Sequence, residues 1–239
     1  MTLQRLSLAS RARGRPARHA LIAVGLTLGL AACGGGGSGS NPAGGLVGGG
    51  TAMAGPMSFS VSAPALGAAP AQLPRQGSNN VCQDFRFGGR DIENLQVPDG
   101  ARCVLEAGVH VDGNVELGNA SEFYATGVTI DGNLQGQGAG AVLLEASTVG
   151  GNVQLDIGRH ITVRDSTVGG SIQLVENGGA IHVLSNVVDS DVQLFQNVGG
   201  ARVGDNRVDG NLQCKENRPA PEGSGNVVQG NKEDQCAAL

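Results

Sequence analysis

Between Val111 and Asp234 the chain repeats one short pattern of apolar and polar positions. The copies read VDGNVEL from Val111, IDGNLQG from Ile130, VGGNVQL from Val149, VGGSIQL from Val168, VDSDVQL from Val188, VDGNLQC from Val208 and VQGNKED from Val228. Their starts are 19 residues apart for three steps and 20 for the next three. A weaker copy, IENLQV, starts 19 residues earlier at Ile92. The Asp-Gly or Gly-Asn pair predicts a tight turn, because Gly tolerates positive φ freely and Asn or Asp better than most residues. The apolar-polar-apolar triplet predicts a short, half-buried strand. A second alternation follows a polar gap, as in Ile161–Val163 and Ile181–Val183, and ends in turn residues such as Asp165–Thr167 or Ser185–Asn186. Each unit therefore predicts two or three very short strands, and no helical stripe fits.

A coil of this length cannot close a core alone, but stacked coils can. Each strand would pair with its copy in the next coil at ~4.8 Å. One inward column would then hold Val115, Leu134, Val153, Ile172, Val192 and Leu212. A second would hold Leu117, Leu155, Leu174 and Leu194, interrupted by Gly136 and ended by Cys214. A third would hold Val142, Ile161 and Ile181, thinned at Ala201. The expected fold is all-β: a single-stranded parallel β-helix over residues 81–239, with seven to eight coils. A period of 19 or 20 is no multiple of six, which favours the right-handed form over a left-handed hexapeptide helix.

The segment before the repeat has a different character. Residues 1–19 carry five Arg and no acid, and the apolar run Ala20–Leu30 follows. That run is too short to span a bilayer and reads as an export signal. It ends in Leu30-Ala-Ala-Cys33, which resembles the lipobox of bacterial lipoproteins. The resemblance implies a signal peptide over residues 1–32 and a diacylated Cys33 as the new N-terminus. Gly34, where Asp would favour the inner membrane, implies an outer-membrane lipoprotein anchored through lipid on Cys33. Residues 33–80 are rich in Gly, Ala and Pro and show no lasting period, so they read as a flexible tether. Within them only Met57–Ala63, MSFSVSA, alternates as a short strand would.

Removing the leader also changes the charge. Eleven Lys and Arg then face all 21 acids, a net charge of about −10. That balance argues against a nucleic-acid partner.

Four further cysteines test the register. Cys82 and Cys103 are 21 residues apart, and Cys214 and Cys236 are 22 apart. Each separation is close to one coil, so each pair can sit on adjacent levels within disulfide reach. The pairs lie at the two ends of the array, where a coil lacks one neighbour. Two disulfides are therefore expected, in an oxidising compartment. Pro219 and Pro221 fall where earlier coils have Ile or Val, and read as an edge-blunting cap.

Three outward columns could carry function. Asn114, Asn133, Asn152, Ser171, Asp191, Asn211 and Asn231 share one turn position and read as a structural ladder. Gln135, Gln154, Gln173, Gln193 and Gln213, continuing from Glu116, would form a stripe of amides at coil spacing. That stripe is the candidate binding face, for a regular polymer such as a glycan. Arg164, His182 and Arg202 are expected on successive coils as a basic spot. Thr129, Thr148 and Thr167 form a column too short to argue ice binding. The acids Asp112, Asp131, Asp189 and Asp209 lie in turns, and the chain has no Lys before Lys215. No nucleophile, base and oxyanion donor converge. No metal site, cofactor or catalytic residue is therefore assigned.

The coils and the closing GNLQCKEN…GNKEDQC resemble bacterial secreted proteins built from Gly-Asn-Val/Leu-Gln repeats, over roughly residues 92–236. The resemblance supports the fold. The expected function is a non-catalytic, lipid-anchored envelope protein, serving as a scaffold or interaction surface for a glycan or an envelope protein. The alternative is a glycan-binding or polysaccharide-cleaving β-helix.

Overall fold

The computed structural model describes Ala63 and residues 65–239. The expected signal peptide, Cys33 and all but the last residue of the alternating stretch Met57–Ala63 lie outside the described residues. Among the described residues there is no helix. Short strands stack in parallel into a β-solenoid of about nine turns, with three sheets as its faces.

The first sheet has ten strands and contains the glutamine triplets, from Val115–Leu117 through Leu134–Gln137, Val153–Asp156, Ile172–Val175 and Val192–Phe195 to Leu212–Lys215. The second has eight and contains the other alternation, such as His160–Arg164 and Ile181–Leu184. The third has eight strands of two residues each, such as Thr129–Ile130 and Thr148–Val149.

Register keeps equivalent residues opposite each other. Val115, Leu134, Val153, Ile172, Val192 and Leu212 pair in turn and are fully buried. The column through Leu155, Leu174 and Leu194 ends at Cys214, and the column Val142, Ile161, Ile181, Ala201 runs as the repeat predicts. Each buried aliphatic side chain contributes roughly 1.5–3 kcal/mol. The inside of the coil is therefore a continuous apolar rod.

The turn count exceeds that of the sequence motif because strands begin earlier. Gly67–Ala68 pairs in parallel with Phe85–Phe87, and Arg75–Gln76 pairs antiparallel with Asn79–Val81. Of these strands, Gly67–Ala68 and Arg75–Gln76 fall inside the last part of residues 33–80, which composition reads as a tether. They lack the Gly-Asn and Gln signature, so periodicity did not mark them.

Both ends are stapled. Cys82 bonds Cys103 with Cα atoms 5.6 Å apart, and Cys214 bonds Cys236 with Cα atoms 5.2 Å apart. All four are fully buried. Cys214 stands opposite Leu194, so a crosslink takes the place of an apolar contact at the last full rung. Glu222 makes an isolated bridge to Arg202, which puts Pro221 beside Ala201, where no further strand continues the sheet.

The corners rest on a feature that patterning did not reveal. Ile157, Glu176, Gln196 and Glu216 occupy one corner with φ of 55–58°, and Asp165, Ser185 and Asp205 occupy another with φ of 52–56°. After each left-handed residue the chain turns its next side chain inward. At the first corner Asn177, Asn197 and Asn217 are buried, and at the second Ser166, Asn186, Asn206 and Asn226. The Asn side chains cross-link the rungs. The Asn177 backbone N–H donates to Asn197 Oδ1 at 2.9 Å, and Asn197 Nδ2 donates to Leu174 O at 2.9 Å and to Asn217 Oδ1 at 2.9 Å. Asn186, Asn206 and Asn226 repeat this at the other corner. Ser185–Asn186, read as part of a turn, thus directs an amide into the core. These bonds satisfy turn groups that no sheet partner can reach.

Candidate functional site

The outward glutamines stand in register from Glu116 through Gln135, Gln154, Gln173, Gln193 and Gln213 to Glu233. Gln154 Nε2 donates to Gln173 Oε1 at 2.7 Å, Gln193 to Gln213 at 2.8 Å, and Gln213 to Glu233 at 2.8 Å. Each amide has two N–H donors and an oxygen with two lone pairs. Gln135 makes no bond along the column and none links Gln173 to Gln193, and every glutamine of the stripe can donate or accept again. The stripe is half-buried, held upright by its own ladder and bounded by a carboxylate at each end.

The turn column behaves as a structural ladder. Asn114 Oδ1 accepts from the Asn133 N–H, Asn133 Oδ1 from the Asn152 N–H and Asn152 Oδ1 from the Ser171 N–H, each at 2.8 Å. Asp191 and Asn211 continue it.

The basic spot differs from its expected form. His182 stands opposite Thr162 and Arg202, so these three make the outward column. Arg164 is two residues further along, opposite Glu145 and Leu184, and forms ion pairs with Glu145 and Asp165. The 18 residues from Arg164 to His182 fall two short of the 20 that strand register sets between Thr162 and His182. Burial, and then the nearby Arg202, lower the His182 pKa, which favours its neutral form.

One cluster escaped the sequence reading. His110 Nε2 lies 3.1 Å from Asp131 Oδ2, and its Nδ1 lies 3.4 Å from Asp112 and 3.7 Å from Asp91. The hydrogen bond to Asp131 chiefly raises the His110 pKa, and the three negative charges add to it. His110, Asp112 and Asp131 could each turn one ligand atom toward a cation. Hydrogen bonding within the set accounts for its geometry without one. The available signal was HVDGN one coil before TIDGN, which puts an imidazole beside two turn carboxylates.

Two recesses flank one glycine-rich rung, Gly136-Gln-Gly-Ala-Gly140. On the glutamine sheet a depression of about 380 Å³ is lined by Glu116, Gln135, Gly136, Gln137, Gln154 and Asp156. Burial, followed by the charge of Glu176, raises the Asp156 pKa. Around the corner a larger recess of about 600 Å³ lies among Asn119, Glu122, Tyr124, Gly138, Gly140, Ile157 and Arg159. Gly136 is required by close approach, since a Cβ there would fall 2.7 Å from Leu117 Cβ.

The fold and these surfaces define a disulfide-stapled parallel β-solenoid with a polar outer face. No family model, curated protein or solved structure matches the chain.

Proposed function

We propose that this chain is a non-catalytic, lipid-anchored envelope protein whose solenoid serves as an interaction surface. The amide stripe carries this reading. It is a row of side chains at rung spacing, ordered in part by hydrogen bonds between Gln154 and Gln173 and from Gln193 through Gln213 to Glu233, with spare donor or acceptor capacity on each glutamine. Such a row costs little entropy to immobilise on a repeating polar partner. The leader ending in Leu-Ala-Ala-Cys33 and the two disulfides support export and anchoring at the outer membrane.

Two measurements test it. A clickable fatty acid fed to producing cells should label the wild-type chain and not Cys33→Ala. Pull-downs from envelope fractions should recover a glycan or envelope protein with the wild type, and lose it with Gln154→Ala/Gln173→Ala. Unlabelled wild-type protein refutes the anchor. Equal recovery by the double variant refutes the face.

A further inference from the structure

The recess around the glycine-rich rung is a slot built by omission. Gly138, Gly140 and Ala141 form its floor and lack side chains beyond Cβ. The rung before supplies one wall through Asn119, Glu122 and Tyr124, and the rung after supplies the other through Ile157, Arg159 and His160. The backbones of the two walls lie two rung spacings, roughly 10 Å, apart, which seats one extended polymer chain over the side-chain-free floor between them.

Three observations mark one wall of this slot. Ile157 is β-branched yet sits at φ 55°, a conformation such residues rarely adopt. Its side chain is also 53% exposed, whereas the same corner position holds Glu176, Gln196 and Glu216 in later rungs. Arg159 is exposed and, like Arg90, Arg202 and Arg218, pairs with no carboxylate among the described residues. Backbone strain coinciding with an exposed apolar group and an unmatched cation points to binding.

The chemistry selects the ligand. The floor backbone is already paired, with Gly138 N–H donating to Asp156 O and Gly140 N–H to Ser121 O. No strand edge is open for a peptide to extend. What remains is a small apolar patch from Ile157, Ala120 and Ala141, a carboxylate and phenol from Glu122 and Tyr124, an amide from Asn119 and the guanidinium of Arg159. We propose that this slot binds a single strand of an acidic glycan, its sugar carbons against Ile157 and a uronate carboxylate paired with Arg159. The proposal rests on the reading of the solenoid as an interaction surface, but uses a different face from the glutamine stripe.

Calorimetry with hexameric α-1,4-galacturonate, and with its methyl ester as the uncharged arm, tests it on the full folded solenoid. The wild type should bind the acid and bind the ester about tenfold more weakly, as loss of one charge-assisted contact implies. Arg159→Ala should lower acid binding by a similar factor. Ala141→Trp, which fills the floor, should abolish it. Arg218→Ala, one corner position equivalent in a rung without the glycines, and Gln154→Ala/Gln173→Ala should bind as the wild type does. Thermal unfolding of each variant verifies folding. No binding of either hexamer at millimolar concentration overturns the slot, and so does full binding by Ala141→Trp or Arg159→Ala. Equal affinity for acid and ester overturns the carboxylate contact. None of these results bears on the amide stripe, whose own test uses the glutamine variants.

Discussion

The buried asparagine ladders set the stability of the stack, and Asn197→Ala measures how far. Asn197 is 1% exposed and makes four side-chain bonds. It donates to Leu174 O at 2.9 Å and Asn217 Oδ1 at 2.9 Å, and accepts from Asn177 N at 2.9 Å and Asn177 Nδ2 at 3.0 Å. Asn177 Nδ2 keeps its bond to Leu155 O, and Asn217 Oδ1 keeps the Asn197 backbone N–H. The Asn177 N–H has no such alternative, and Asn177 is fully buried. Orphaning it costs about 1–3 kcal/mol, and the other three bonds about 1 kcal/mol each. The expected loss is about 4–6 kcal/mol, a large share of a typical domain stability of about 5–15 kcal/mol.

The comparison is Gln193→Ala, which removes one bond at a half-buried outward position and should cost about 1 kcal/mol. Urea unfolding followed by far-UV circular dichroism, with both disulfides intact, separates the two. Asn197→Asp sharpens the test. Its second oxygen would face Leu174 O and Asn217 Oδ1, where the amide now donates. The folded protein would hold that carboxyl protonated, so the loss should deepen as pH rises above the ordinary Asp range. A loss below about 1 kcal/mol for Asn197→Ala, equal to that of Gln193→Ala, would show that the ladder only occupies space.

Three further outcomes follow from the same structure. Ile157→Asn should raise stability by about 1 kcal/mol in urea unfolding, because Asn tolerates positive φ and the exposed side chain gives up little packing; lower stability would mean that the corner holds Ile157 without strain. Cys214→Ala/Cys236→Ala opens a loop of about twenty residues and should remove roughly 3 kcal/mol, with hydrogen exchange accelerating first at Leu212–Lys215; unchanged exchange there would refute end-capping. For His110, the raised pKa means that the folded state binds the proton more tightly. Its stabilisation is present below the ordinary imidazole pKa and is lost as pH rises through the folded value. Melting temperatures between about pH 5.5 and 8 should therefore fall more steeply for the wild type than for His110→Gln, a difference from which the opposite contribution of His182 cancels; parallel profiles would refute the clamp.

The apolar columns were legible because a strand reports its inward face directly: Val153, Ile172 and Val192 differ from Gln154, Gln173 and Gln193 in polarity and repeat at one spacing. The cysteine pairs followed from the same spacing. The buried asparagines were hidden although Asn177, Asn197 and Asn217 recur as regularly as the leucines. Polarity alone assigns such residues to solvent. Whether an amide points inward depends on the φ of the residue before it, and Glu176, Gln196 and Glu216 do not advertise a left-handed corner as glycine would. Alternation also does not say which outward residue of a strand stands opposite His182, and register gives that place to Thr162 and not to Arg164. The first strands at Gly67–Ala68 and Phe85–Phe87 belong to a rung without the motif, so only three-dimensional pairing reveals them.

A solenoid separates the demands on its two surfaces, and that makes its exceptions informative. Inward positions must match the next rung, so they vary little: Val, Leu or Ile in one column, Leu or Cys in another. Outward positions are free to differ at each rung. The glycine-rich rung breaks the inward rule as well as the outward one. Gly136 stands between Leu117 and Leu155 in its column, where the backbones approach so closely that a Cβ would fall 2.7 Å from Leu117 Cβ. Gly138 and Gly140 then clear the corner beside it, and Ile157 accepts a strained backbone one rung later. Close approach accounts for Gly136 and Gly138 and the shared corner for the φ of residue 157, but neither accounts for an exposed β-branched side chain at that corner. Their coincidence at one recess places the departures where a ligand would repay them, and the strain and the unmatched Arg159 fall on the wall that such a ligand would touch.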